Sequence, residues 1–348
     1  MNAAGPSPPQ RHPGVQNTSG GSYSHQSSNE PQSSYPPGFV HPQNQRPMPA
    51  AGRSPSQRHA GVQNTSGGSH SQGTGRAMVT RKRKALVIGT NYSRHPNPRS
   101  RLRHCVEDAN RMADFLCADL RFAPHDVRLM TDDVENPRDL PTKDNIRGAM
   151  RALVSGAQAG DSFFLYFSGH GVQIKDTNGD ESDGLDECIC AMDYLGNDPY
   201  PTGNTPGLIV DDDMHDILVR PLPQHCRLIA MFDSCHSGTA LDLPYIYDSN
   251  GKVKPITHPN KLWLLRLKAS RAHVVSLGAS RDNQKAIETH LGGALRRAFM
   301  ECVRAYGDTL TYIGLLQSVR RYMINQGFQQ RPQLSTSHEI DTNILFIT

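Results

Sequence analysis

The chain has 348 residues, a formal net charge of +4 and 36% hydrophobic residues. That apolar fraction is low for a wholly globular chain, and no window approaches the ~18 apolar residues of a membrane-spanning helix. Lys and Arg are scattered instead of forming one stripe, which argues against a nucleic-acid partner.

Residues 1–80 are rich in Pro, Gly, Ser and Gln and carry a duplication: Gln10-Arg11-His12-Pro13-Gly14-Val15-Gln16-Asn17-Thr18-Ser19 recurs as Gln57-Arg58-His59-Ala60-Gly61-Val62-Gln63-Asn64-Thr65-Ser66. Two such copies cannot bury a core, so a disordered arm is expected, either an inert tether or a partner-binding tract. The folded part is then 81–348. No secretory signal precedes it, and the seven cysteines are an odd number that suits a reducing compartment, so a soluble cytoplasmic protein is expected. The run Arg81-Lys82-Arg83-Lys84 is either a nuclear localisation tetrapeptide or the solvated approach to the first strand.

From residue 84 on, strand and helix patterns alternate. A strand at 84–89 leads to a helix over about 105–119, where Val106, Ala109, Met112, Ala113, Leu116 and Leu120 form a stripe at three- and four-residue spacing. A strand at 127–130, a helix from about Thr142 and a fully apolar strand at 162–167 follow. After Gly169-His170-Gly171 come a long acidic loop, a strand at 188–192, a helix at 211–219 and a second buried strand at 227–232. A Pro/Lys-rich spacer, 244–271, precedes a strand at 274–277, helices near 291–305 and 309–325, and the apolar run Ile344-Leu345-Phe346-Ile347. This alternation predicts an α/β fold: a mostly parallel sheet of about six strands with helices on both faces.

The two buried strands end in Ser168-Gly169-His170-Gly171 and in Asp233-Ser234-Cys235-His236-Ser237-Gly238. In an open parallel sheet, loops at the carboxyl ends of neighbouring strands converge on one crevice. A thiol and an imidazole delivered there make a nucleophile and its base, provided a neighbour removes the thiol proton. Either residue alone is as readily explained by packing; the pair, flanked by small residues, is not. His236 adjoins Cys235 but is expected to point away, which leaves His170 as the base, and Gly238 with 239–242 is expected to open a turn or helix behind the sulfur.

These motifs resemble those of the metacaspases, caspase-like cysteine peptidases, and the type I subgroup among them. The resemblance runs over about 84–348 and includes Gly89-Thr90-Asn91-Tyr92, Cys105-Val106-Glu107-Asp108-Ala109, Asp180-Glu181-Ser182-Asp183-Gly184-Leu185-Asp186-Glu187 and Pro332-Gln333-Leu334-Ser335-Thr336-Ser337-His338. It implies the caspase-hemoglobinase fold, with 81–243 resembling a large subunit, 244–271 a spacer and 272–348 resembling a small subunit. By position it makes Cys235 the nucleophile and His170 the base, with the Gly171 and Cys235 backbone N–H groups as the oxyanion hole, each donor worth on the order of 3 kcal/mol. The pocket for the residue before the scissile bond falls on Cys105, Asp108, Ser168 and Asp233, and two carboxylates there favour Arg or Lys and repel Asp.

The resemblance also implies an activating, non-catalytic calcium ion on Asp186, Asp211, Asp212 and Asp242. An N-cap or solvated loop remains the plainer account of Asp211 to Asp213. An EF-hand from Asp176 is rejected because Glu181 occupies the required glycine position. The family further implies a zymogen, self-processed near Arg76 to Lys84 or at Lys252, Lys254, Lys261, Arg266, Lys268 or Arg271. A monomer acting on protein or peptide substrates, without nucleic acid or membrane, is expected, and the family is associated with cell death and protein quality control. The competing expectation is a non-enzymatic scaffold binding aggregated proteins through its arm. One departure is Lys285-Ala286-Ile287-Glu288, where small polar residues are usual.

Overall fold

A computed structural model describes residues 81–279, 293–328 and 331–346. The expected arm and the 285–288 departure lie outside these residues. In chain order the elements are β1 (Arg83–Gly89), α1 (Cys105–Ala118), β2 (Val127–Thr131), α2 (Lys143–Val154), β3 (Ser162–Ser168), β4 (Gly171–Lys175), β5 (Leu185–Cys190), β6 (Leu208–Val210) and α3 (Asp211–Leu218). Then follow β7 (Arg227–Asp233), β8 (Tyr245–Tyr247), α4 (Lys261–Lys268), β9 (His273–Gly278), α5 (Ala294–Tyr306), α6 (Tyr312–Asn325) and β10 (Gln333–Thr336).

Among the described residues seven strands form the main sheet in the order β2-β1-β3-β7-β9-β10-β8. The first five run parallel; β10 is antiparallel to β9, and β8 to β10. Strand periodicity sends alternate side chains to opposite faces. Thus Val87, Phe164, Tyr166, Ile229, Met231, Val275 and Leu277 pack beneath α1, α5 and α6. Leu86, Ile88, Leu165, Phe167, Leu228, Ala230 and Phe232 pack on the other face with α2 and α3. Burial on both faces is why these strands read as unbroken apolar runs. The register fixes the ends: Gly89 lies opposite Ser168, and Ser168 opposite Asp233. The loops that leave β1, β3 and β7 therefore start at one level of the sheet.

Two expectations are corrected, that of the acidic loop and that of the exposed spacer. The acidic loop is in large part a hairpin, with β4 antiparallel to β5 and β5 to β6 in a second sheet, which moves the strand expected at 188–192 back to 185–190. The alternation in Gly171-Val172-Gln173-Ile174-Lys175 is short and half-polar, so its strand signal was weak. Of the turn or helix expected after Gly238, the structure has a turn, with two turn residues in 239–244. The spacer is not wholly exposed, since it supplies the edge strand β8 and the helix α4, with Tyr247 and Lys268 buried. The last strand of the sheet is Gln333–Thr336, whereas Leu345 makes only an isolated bridge to Thr311 and Phe346 packs into the core. No helix of the described residues is long and apolar enough to cross a membrane.

Candidate active site

Cys235 follows β7 and His170 lies between β3 and β4, at the same end of two adjacent parallel strands. Their loops are in contact. A Cβ on Gly171 would lie 2.1 Å from the Cys235 carbonyl oxygen, so only glycine lets the two backbones approach this closely. The cysteine loop is held from behind by Ser237, which is fully buried and whose hydroxyl lies 3.2 and 2.9 Å from the Phe232 and Ser234 carbonyls while accepting the Ala279 N–H at 3.0 Å. A Cβ on Gly278 would meet the Ser237 carbonyl at 2.1 Å, which clamps the loop against β9. Of the seven cysteines, Cys235 and Cys117 alone are not buried. Burial pushes the Cys188, Cys190, Cys226 and Cys302 thiols up, so they stay protonated and inert.

His170 is oriented from three sides. Its Nε2 lies 2.8 Å from the Ser100 carbonyl oxygen. A carbonyl only accepts, so Nε2 carries the hydrogen, and in the neutral ring Nδ1 is the basic nitrogen. Its backbone N–H donates to the Tyr92 hydroxyl at 2.8 Å, and that hydroxyl donates to the Cys190 carbonyl at 2.7 Å. The Tyr92 and His170 rings lie 4.7 Å apart. The sequence offered no side chain as a third triad member, and His170 Nε2 faces the Ser100 backbone carbonyl instead. Tyr92 is a positioning residue that sequence reasoning had noted only as part of a motif. Tyr92, His236 and Asp242 all have positive φ (52°, 50° and 51°), a conformation that non-glycine residues adopt at a cost and that clusters at functional sites.

The same sheet end collects the residues expected to form the first substrate pocket. A Cβ on Gly89 would lie 2.2 Å from the Cys105 carbonyl oxygen, so the first turn of α1 sits directly on the end of β1. Asn91 Oδ1 accepts the Val106 N–H at 3.2 Å and ties that turn down. Asp108 is thereby brought beside Asp233, whose carboxylate lies 3.5 Å from the Tyr166 hydroxyl, and Ser168 is buried alongside. Burial and the neighbouring Asp108 push the Asp233 carboxyl up to about 7. Burial likewise raises Asp108, with Arg296 opposing. Arg296 was not anticipated: its Nε donates to Asp108 Oδ1 at 2.9 Å, and its backbone N–H to Asp233 Oδ2 at 3.0 Å.

A second acidic centre lies between the hairpin, α3 and the β7–β8 connection. Potential ligand oxygens of Asp180, Asp212 and Asp242 lie within 4.8 Å of one another, as do those of Asp176, Asp180 and Asp186. Three of the four expected calcium ligands thus fall into these two overlapping groups, joined by Asp180. Asp211 falls in neither; its Oδ2 accepts the Glu187 N–H at 3.0 Å and its Oδ1 the Asp212 N–H at 3.0 Å. Desolvation and mutual repulsion push Asp186 up to about 7 and Asp212 to about 6. The buried ammonium of Lys268, from α4, compensates the cluster. It pairs with Asp180 at 3.2 Å, with Glu181 at 2.6 Å, and with Asp242. Lys268 is therefore removed from the expected processing positions, while Lys252, Lys261, Arg266 and Arg271 are exposed.

A thiol and an imidazole at the ends of adjacent strands of such a sheet define the caspase-like class of cysteine peptidases. A crystal structure of a protein from Geobacter sulfurreducens shares the fold, with a TM-score of 0.51 and 22% identity over 75% of this chain and 95% of that one. The family model for the metacaspase, peptidase C14 domain matches residues 83–244. Metacaspase-1B of Aspergillus oryzae is 39% identical over 310 residues, covering 77% of this chain and 71% of that protein, and Metacaspase-1 of Schizosaccharomyces pombe is 37% identical over 313 residues, covering 76% and 70%. Metacaspase-1 of Cryptococcus neoformans is 40% identical over 314 residues, and there the match spans 65% of the relative's length. The chain belongs to the metacaspase family.

Gly171→Ala tests the close approach of the two loops. A methyl group has no room against the Cys235 carbonyl, so the His170 and Cys235 loops must separate. Because misplacement by ~1 Å can cost ~100-fold in rate, peptide cleavage is expected to fall by about that factor. Stability in urea is expected to fall by only about 1–3 kcal/mol. Unchanged turnover in this variant would mean that the two loops need not touch.

Proposed function

We propose that the chain is a cysteine endopeptidase that cleaves after Arg or Lys, with Cys235 as nucleophile and His170 as base. The observation that carries this reading is the contact between the two loops, with His170 Nε2 held on the Ser100 carbonyl so that Nδ1 is the basic nitrogen of the neutral ring. His170 takes the thiol proton, the thiolate attacks the scissile carbonyl carbon, and the Gly171 and Cys235 N–H groups hold the oxyanion. His170 then returns the proton to the leaving amine, and water, deprotonated by the same ring, frees the acyl group and restores the thiol.

The preference for Arg or Lys rests on Asp108 and Asp233, two neighbouring carboxylates at the end of the sheet where the His170 and Cys235 loops meet. Calcium activation rests on the oxygen-only donor set of Asp180, Asp186, Asp212 and Asp242, which suits a hard cation. A bound calcium ion would supply positive charge to this cluster, in competition with Lys268, and would take no part in bond breaking. Self-processing is assigned to the exposed spacer positions Lys252, Lys261, Arg266 and Arg271.

The test is cleavage of matched peptides ending in Arg, Lys or Asp, each with calcium and with chelator. Cleavage after Arg and Lys, at least tenfold faster with calcium, is expected. Cleavage confined to Asp would overturn the pocket assignment, and indifference to chelator would remove the metal.

A further inference from the structure

The carboxylate pair assigned to the substrate's basic side chain already holds a guanidinium of the protein itself. Arg296, in the first turn of α5, is 2% exposed and reaches Asp108 Oδ1 through Nε at 2.9 Å. The Gly293 N–H donates to Asp108 Oδ2 at 2.6 Å, and the Arg296 N–H to Asp233 Oδ2 at 3.0 Å. A Cβ on Gly293 would lie 2.1 Å from Asp233 Oδ2, so glycine is what allows this end of α5 to seat on the pair. With two carboxylates against one guanidinium, the charge available to an incoming Arg or Lys is half of what the carboxylates alone would offer.

The fit of Arg296 is incomplete. Its Nη2 is buried without a hydrogen-bond partner among the described residues, and Nη1 finds only the Met300 sulfur, at 3.3 Å. A buried guanidinium kept for structure alone normally has its donors satisfied, whereas among the described residues this one is short of a partner. It also has an alternative place to go. Arg296 lines a surface cavity of about 440 Å³ between α1 and α5 that includes Asp114, Asp119 and Glu301. Arg111, Arg297 and Arg304 line the same cavity and Arg304 already donates to both Asp119 oxygens, so an outward-turned Arg296 would find Asp114 and Glu301 in a site of mixed charge.

We propose that Arg296 is a specificity-determining residue of the pocket: a resident guanidinium that the substrate's Arg or Lys must displace from Asp108 and Asp233. This deepens the peptidase reading above and rests on its assignment of that pocket. An arginyl substrate then gains only the difference between two similar ion-pair sets, and a neutral side chain is disfavoured less than in an open acidic pocket.

Arg296→Gln, and Arg296→Met as a second variant of similar length, test this against arginyl and leucyl peptide amides. KM for the arginyl peptide is expected to fall at least tenfold, with the change in KM and not in kcat, and the Arg-over-Leu ratio of kcat/KM to rise by the same factor. An unchanged ratio in both variants would overturn the proposal. A measurement that needs no turnover separates this from a failure of the peptidase reading: calorimetric binding of agmatine to Cys235→Ala, with and without Arg296→Gln. Binding at least tenfold tighter in the double variant supports displacement by a guanidinium. Equal binding refutes the role of Arg296 while leaving the pocket, and no binding to either refutes the pocket and the proposal with it. Thermal unfolding of each variant reports whether α5 still docks.

Discussion

Replacing Cys235 with alanine is expected to lower peptide cleavage by on the order of 10⁴-fold or more, and His170→Ala by a similar factor. The two residues act as one unit, so the double variant should be little worse than either alone. Fold is not at risk: Cys235 is half-buried, and its loop is held by Ser237, by Gly278 and by the contact with Gly171, none of which involves the sulfur. Thermal unfolding should therefore shift little. Cys117→Ala, which removes the other thiol that is not buried, should leave the rate unchanged. His236→Asn separates the two candidate bases, because asparagine tolerates the positive φ of 50° at this position. Most of the activity should survive there, and full activity in Cys235→Ala would assign the nucleophile elsewhere.

Lys268→Met is expected to cost about 3–5 kcal/mol of stability, the range for removing one partner of a buried ion pair. For a domain of this size that lowers the melting temperature by roughly 10 °C. The lysine faces Asp180, Glu181 and Asp242 with its side chain 4% exposed, so no water replaces it cheaply. The sign of the pH dependence follows from Asp186 and Asp212, raised to about 7 and about 6. Carboxyls whose folded values exceed the unfolded 3.8 bind protons more tightly in the folded state, so their contribution is greatest at low pH and is lost as pH rises through 6 and 7. Removing the ammonium strengthens that trend. The deficit of the variant, read by thermal or urea unfolding, should widen from pH 5.5 to pH 8, and millimolar calcium at pH 8 should restore more stability to the variant than to the unsubstituted chain. A variant as stable as the parent at pH 8 would show that the carboxylates do not need a fixed cation.

The sheet and the meeting of the His170 and Cys235 loops were legible because they depend on local signals. Apolar runs buried on both faces marked β1, β3 and β7, and the small polar residues that end the last two strands marked the loops that meet. What escaped was set by tertiary contact. The Ser100 carbonyl behind His170 is a backbone atom, and any residue type at that position can present one. Lys268 lies in a stretch whose composition reads as solvated linker, yet the last turn of the 261–268 helix carries it into the acidic centre. Asp180 was not singled out, since only the hairpin geometry of β4 and β5 shows that it lies with Asp176 and Asp186 on one side and with Asp212 and Asp242 on the other. Arg296 falls on a helix whose pattern is amphipathic without it, and nothing in spacing alone says that it turns inward toward Asp108 and Asp233.

The strand order has a further consequence for a chain cut in its spacer. The segment before a cut at Lys252, Lys261 or Arg266 keeps β7 and β8, and the segment after it keeps β9 and β10. In the sheet, β9 lies against β7 while β10 lies against β8, so the later piece is interleaved between two strands of the earlier one. The halves are clasped like the fingers of two hands. Hydrolysis of the spacer would then free two new chain ends without releasing a fragment: two bands under denaturing electrophoresis and a single particle in native buffer.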